Sequence, residues 1–180
     1  MIWGKWRSME SAQRILDRLD LPQPWNSHEL AERIAVQRGR PITLEAVPIE
    51  AMSGKNCGLW INTDSKDYLL YPMNSPVWYE DLVICHELSH ILFRHDLEVR
   101  DDEGGLEAAL KAAPGIDLDG LTTWLPDLDP TGVKSLLGRN CFSSRREFEA
   151  EYLATQIVDK ALEMDTHARR SRMLRTFLGD

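Results

Sequence analysis

Cysteine is scarce in this chain, and the three present, Cys57, Cys85 and Cys141, are odd in number and far apart. A disulfide framework is therefore not expected, and reduced thiols point to a cytoplasmic setting. Long apolar runs are missing too. No stretch approaches the roughly 20 residues that cross a bilayer. Met1–Arg7 has no apolar core or small-residue cleavage site behind it, so neither a membrane span nor a signal peptide is expected. Basic charge is in deficit, with 21 Lys and Arg against 29 Asp and Glu, a net charge of −8. That balance disfavours contact with phosphate backbones, and no helix-turn-helix with a basic recognition helix is legible. Direct nucleic acid binding and a DNA-binding regulator are accordingly disfavoured.

What remains is an ordinary globular composition. The 180 residues, 43% hydrophobic and 28% charged, suit a single domain over 1–180 with a real core. Ala12, Ile15, Leu16 and Leu19 predict a helix over 9–20, ended by Leu21-Pro22-Gln23-Pro24. Asn26 or Ser27 can cap a second helix through about Gln37, with Leu30, Ile34 and Ala35 inward and Gly39 as its stop. Strands are expected over 41–49, 57–61 and 68–72, with a turn signal at Ser53-Gly54-Lys55-Asn56. Asn74-Ser75-Pro76 predicts the start of a long, deeply buried helix to about Arg94.

Residues 96–130 change character, with ten acidic residues against Arg100 and Lys111. This stretch, extended to 140, reads as an acidic insertion or lid, with short helical pieces at 105–113 and 131–138 and an otherwise solvated acidic surface. A last helix opens at Ser143-Ser144-Arg145-Arg146-Glu147 and runs to about Arg170, with Phe148, Tyr152, Leu153, Gln156, Ile157 and Ala161 as its buried stripe. Arg169, Arg170, Arg172 and Arg175 make its end basic, which reads as a solvated helix end.

The chemistry is concentrated in His86-Glu87-Leu88-Ser89-His90. Four residues are slightly more than one helical turn, so His86 and His90 share a face and can bind one metal ion. Glu87 lies beside them, where its carboxylate can take a proton from water held by that ion. A fortuitous match in a structural helix is the bland alternative, but two imidazoles and a carboxylate in so apolar a helix need partners. Cys85 reads as a small core residue, His95 as a surface residue near the helix end, and Trp60 and Trp78 as packing.

A catalytic zinc site uses a third protein ligand, and no further His follows at the usual short spacing. Glu147, Glu149 and Glu151 form the carboxylate cluster on an apolar helix. Glu147 and Glu151 share a face, whereas Glu149 is turned about 160° from Glu147. Glu147 can bind zinc directly, with Glu151 as the alternative ligand or as the group that orients His86 or His90 through a free ring nitrogen. A capping box, Ser144-Arg145-Arg146-Glu147, would instead give Glu147 a purely structural role.

The HELSH helix, the two short strands before it and the later Glu-x-Glu-Ala-Glu-x-x-Ala helix (Glu147 to Ala154) resemble the ImmA/IrrE metallopeptidases. The resemblance covers 26–95 and 143–158. Glu151 stands where that family usually has Asn or Asp, Leu153 replaces an aromatic, and the acidic insertion is longer than usual. The resemblance implies a gluzincin-like, zincin-type α+β fold, with a small, mostly antiparallel three-stranded sheet packed against the HExxH helix and further helices. It also implies a Zn²⁺-dependent endopeptidase that cleaves a helix-turn-helix transcriptional repressor, an anti-repressor activity. An extended substrate would pair with an edge strand, 57–61 or 68–71. The competing expectation is a peptidase-like binding module that regulates a repressor or toxin–antitoxin partner without significant proteolysis.

Overall fold

The computed structural model describes residues 2–52, 58–98, 118–137 and 143–178. Its helices are α1 (Ile2–Leu16), α2 (Ser27–Arg38), α3 (Val77–Leu92), α4 (Leu118–Trp124) and α5 (Ser144–Leu178). Its strands are β1 (Ile42–Val47), β2 (Leu59–Thr63), β3 (Asp67–Pro72) and β4 (Val133–Leu137). Among the described residues no helix is long and apolar enough to cross a membrane.

Local signals set several boundaries. Asn26 caps α2, its side chain accepting from the Glu29 amide at 3.0 Å. Gly39 ends that helix in the left-handed region at φ 63°, a conformation that costs other residues more. Ala31 takes the inward place on α2, while Ala35 is only half-buried. α1 is displaced from the expected span, beginning at Ile2 and ending at Leu16, with Ala12 and Leu16 in the core. At the start of α3 the cap position belongs to Pro76, with no side-chain cap; Asn74 instead occupies the left-handed region at φ 60°.

The sheet is four-stranded and mixed, ordered β1-β3-β2-β4, which corrects the expectation of three mostly antiparallel strands. β1 pairs with β3 in parallel, whereas β2 is antiparallel to both β3 and β4. β2 and β3 are therefore central strands, buried along their whole length, and not the edge strands expected to bind substrate. Both of their faces are covered, so Leu59–Ile61 and Tyr68–Tyr71 read as continuous apolar runs. Trp60, Leu69 and Tyr71 face the helices; Leu59, Ile61, Tyr68 and Leu70 face the other side.

That second face is covered by Leu121, Leu125 and Leu128, together with Val133 and Leu136 of β4. The described part of the acidic stretch is thus built into the core. β4 replaces the helical piece expected at 131–138, because pairing of Leu136 with Ile61 and Leu137 with Trp60 outweighs local helical preference. The helical piece at 105–113, the turn at 53–56, Cys57 and Cys141 lie outside the described residues.

Asp67, fully buried, ties the β2–β3 turn to the strands and to α2. Its carboxylate accepts from Trp60 Nε1 at 3.2 Å, Asn62 Nδ2 at 2.8 Å, Arg38 Nη1 at 2.9 Å and Arg40 Nε at 3.0 Å. On the helical face, α3 packs along α5 through Ile84, Leu88 and Ile91 against Leu153, Ala154 and Ile157. The first turn of α3 stands clear of this packing, leaving Val77 and Trp78 exposed. Trp60, by contrast, is a core residue as expected.

Candidate metal centre

Helical spacing does for the histidines what the sequence implies. His86 Nε2 and His90 Nε2 stand 3.1 Å apart on α3. Glu147 completes the group from α5, its Oε2 3.6 Å from His86 Nε2 and its Oε1 3.5 Å from His90 Nε2. Two donors at about 2.0–2.1 Å from a tetrahedral ion stand about 3.3 Å apart. The observed distances straddle that value, so His86, His90 and Glu147 could hold a metal ion.

Glu147 reaches this position because of its place on α5. At about 100° per residue it lies some 60° from Ala150 and 20° from Ala154, on the side of the helix that meets α3. The capping-box alternative falls on register: Ser144 is already the first residue of the helix, so Ser143 holds the cap position and Arg146 the position a box would need. Glu151 lies on the flank, exposed on the wall of the adjoining cavity and outside the three-residue group.

Glu87 is 4% exposed, and its Oε2 is buried with no hydrogen-bond partner among the described residues. Burial, and then the charge of Glu147, push its carboxyl well above the usual carboxylate range. Burial, followed by the neighbouring His86, His95 and Arg146, pushes His90 down to about 2, so its ring is neutral and one nitrogen carries a lone pair. Two imidazoles, a facing carboxylate and a buried carboxylate oxygen with no partner among the described residues form a donor set that suits a divalent cation. Left alone, these buried polar groups cost several kcal/mol; a cation would offset much of that.

Four further residues, His95, Glu149, Ser8 and Gly58, take places here that the sequence did not assign to them. His95 is buried, not a surface residue, with Nδ1 2.8 Å from His90 Nδ1. The chain turns it inward at Arg94, which adopts the left-handed region at φ 58°. Behind His95 stands Glu149, its Oε2 3.3 Å from His95 Nε2, and not Glu151. Glu149 Oε1 also accepts from Ser8 Oγ of α1 at 2.5 Å and from Arg145 Nε at 3.0 Å. Desolvation works to raise the Glu149 carboxyl, but hydrogen bonds from Ser8 and Arg145 outweigh it and hold it below its ordinary value. Burial lowers His95 despite its contact with Glu149.

Gly58, just before β2, is the fourth. A Cβ there would meet Glu87 Oε1 at 2.5 Å and Val83 Cγ1 at 2.9 Å. Glycine is what lets the backbone pass the carboxylate. A Gly at the head of a strand-like run is a signal for such close approach. Cys85, adjacent to His86, is fully buried and its thiol is pushed up by burial, so it is inert packing.

Beside the histidines lies a cavity of about 270 Å³ with an apolar wall of Tyr79, Leu82, Val83 and Ala154, into which His86, Glu87 and Glu147 face. A larger hollow of about 540 Å³ borders α2, but it holds none of the His86, His90 and Glu147 group, and its Arg33 pairs with Asp20 and Glu29 at 2.6 Å each. The chemistry is in the smaller one. No family model, curated protein or solved structure matches the chain.

Proposed function

We propose that this protein is a zinc-dependent endopeptidase of the ImmA/IrrE, gluzincin-like type, acting on a specific protein such as a helix-turn-helix repressor. One observation carries the metal-hydrolase reading: two Nε2 atoms 3.1 Å apart face Glu147, beside a buried Glu87 oxygen with no hydrogen-bond partner among the described residues. The repressor substrate and a cytoplasmic setting rest on the family resemblance and on composition.

His86, His90 and Glu147 would hold the ion. Zinc in such a site acidifies a water toward a pKa of ~7 and polarises a peptide carbonyl. Glu87 would take the proton from water and return it to the leaving amine. Tyr79, Leu82 and Val83 receive an apolar substrate side chain and exclude solvent from the reacting bond. Glu87→Gln tests the assignment: zinc stays bound while cleavage of a purified repressor substrate disappears. Full activity in that variant would remove Glu87 as the general base.

A second reading has its own support. Val77 and Trp78 are exposed beside Tyr79 of the cavity wall, Trp78 meeting the Tyr79 ring edge-on at 5.6 Å. An exposed aromatic next to a residue of the cavity wall suits a peptidase-like module that binds its partner without cutting it. Repression relieved equally by wild type and Glu87→Gln would favour binding; relief by wild type alone favours proteolysis.

A further inference from the structure

The polar groups behind His90 have a fixed hydrogen-bond order, and it determines which way that ring faces the metal site. Glu149 is a carboxylate that only accepts, and its Oε1 already receives Ser8 Oγ–H at 2.5 Å and Arg145 Nε–H at 3.0 Å. Its Oε2 lies 3.3 Å from His95 Nε2, so that nitrogen carries the proton and donates. Nδ1 of His95 is then left as the acceptor. It stands 2.8 Å from His90 Nδ1, which must in turn be the donor. The remaining nitrogen, His90 Nε2, therefore presents a lone pair to His86 Nε2 and Glu147.

We infer that His95, Glu149 and Ser8 form a positioning relay that holds His90 in its metal-binding tautomer. The relay reaches across the chain, because Ser8 lies on α1 while Glu149 lies 141 residues later on α5. Docking of α1 against α5 thereby becomes part of the metal affinity, even though α1 supplies no ligand. Arg94 completes the device by reversing the chain after α3, which brings His95 back beneath His90.

The inference rests on the metal-centre reading above, and its test separates the two. Zinc affinity is measured on the full chain by competition with a chromophoric chelator. The cobalt(II) absorption spectrum and the melting temperature of the metal-free protein are recorded alongside. His95→Ala and Glu149→Gln should bind zinc about 10- to 100-fold more weakly, the usual consequence of losing a hydrogen-bond partner behind a ligating histidine. Ser8→Ala, which removes only one hydroxyl and leaves the metal-free melting temperature as the check on folding, should weaken zinc several-fold and shift the cobalt spectrum. His95→Asn, which restores an acceptor for His90, should recover part of the affinity lost in His95→Ala.

Zinc affinity within twofold of wild type in His95→Ala, Glu149→Gln and Ser8→Ala would overturn the relay while leaving the metal centre standing. So would His95→Asn no better than His95→Ala with cobalt spectra like that of wild type, since packing alone would then account for His95. Wild type that takes up no zinc would instead remove the metal-centre reading, and the relay with it.

Discussion

Gly58 and Glu87 are packed so closely that a single added carbon on Gly58 would lie 2.5 Å from Glu87 Oε1 and 2.9 Å from its Cγ. The start of β2 and the first residue after His86 on α3 are thus fitted to each other, with no room for a side chain between them. Gly58→Ala should push the Glu87 carboxylate out of place while leaving His86, His90 and Glu147 intact. Misplacing a reacting group by about 1 Å costs on the order of a hundredfold in rate. The expected outcome is therefore unchanged zinc content with kcat reduced by about that factor. Unchanged kcat would show that Glu87 has no fixed position to lose.

Arg94 adopts the left-handed region at φ 58°, where a side chain with a Cβ is disfavoured by about 1–2 kcal/mol. Part of any gain from glycine is lost to the greater freedom of the unfolded chain. Arg94→Gly should still raise the melting temperature, by about 2 °C, and Arg94→Val should lower it by at least as much. Equal melting temperatures for the two variants, read by circular dichroism, would remove the strain from this account of the α3 end.

Asp67 is the acceptor for four side chains and is fully buried. Deleting it strands Trp60 Nε1 and Asn62 Nδ2 in the core and leaves Arg38 and Arg40, each about a quarter exposed, to water. Because the arginines can be rehydrated, Asp67→Ala should cost about 3 kcal/mol, near the low end for breaking a buried ion pair. That corresponds to a fall in melting temperature of roughly 6–12 °C. Asp67→Asn, which keeps an acceptor, should fall between. A loss below 1 kcal/mol in urea unfolding of Asp67→Ala would contradict the role given to this carboxylate.

What could be read from the chain follows the range of the interactions involved. His86, Glu87 and His90 were legible because their relationship is helical and local, with one turn putting the imidazoles together. Glu147 was reachable because it stands on an apolar helix in a carboxylate cluster with Glu151 one turn later, although excluding a capping-box role for it required knowing where the helix begins. β4 was hidden because Val133–Leu137 is five residues long and owes its conformation to β2, a partner some seventy positions earlier. His95 and Glu149 lie 54 residues apart, and nothing local marks either as the partner of the other. The backbone reversal at Arg94, a non-glycine in the left-handed region, gave no cue that His95 turns inward. Gly58 was the one omission with a visible signal, a glycine at the head of an apolar strand.

The central claim is that His86, His90 and Glu147 together hold a metal ion, their donor atoms lying within 4.8 Å of one another. The direct test is elemental analysis of untagged protein, comparing wild type with His86→Ala, His90→Ala and Glu147→Ala after zinc is supplied and excess removed. The account predicts about one zinc per chain in wild type, lost or severely depleted in all three variants. Full zinc in Glu147→Ala would move the third ligand elsewhere, and wild type without zinc would contradict the metal centre itself.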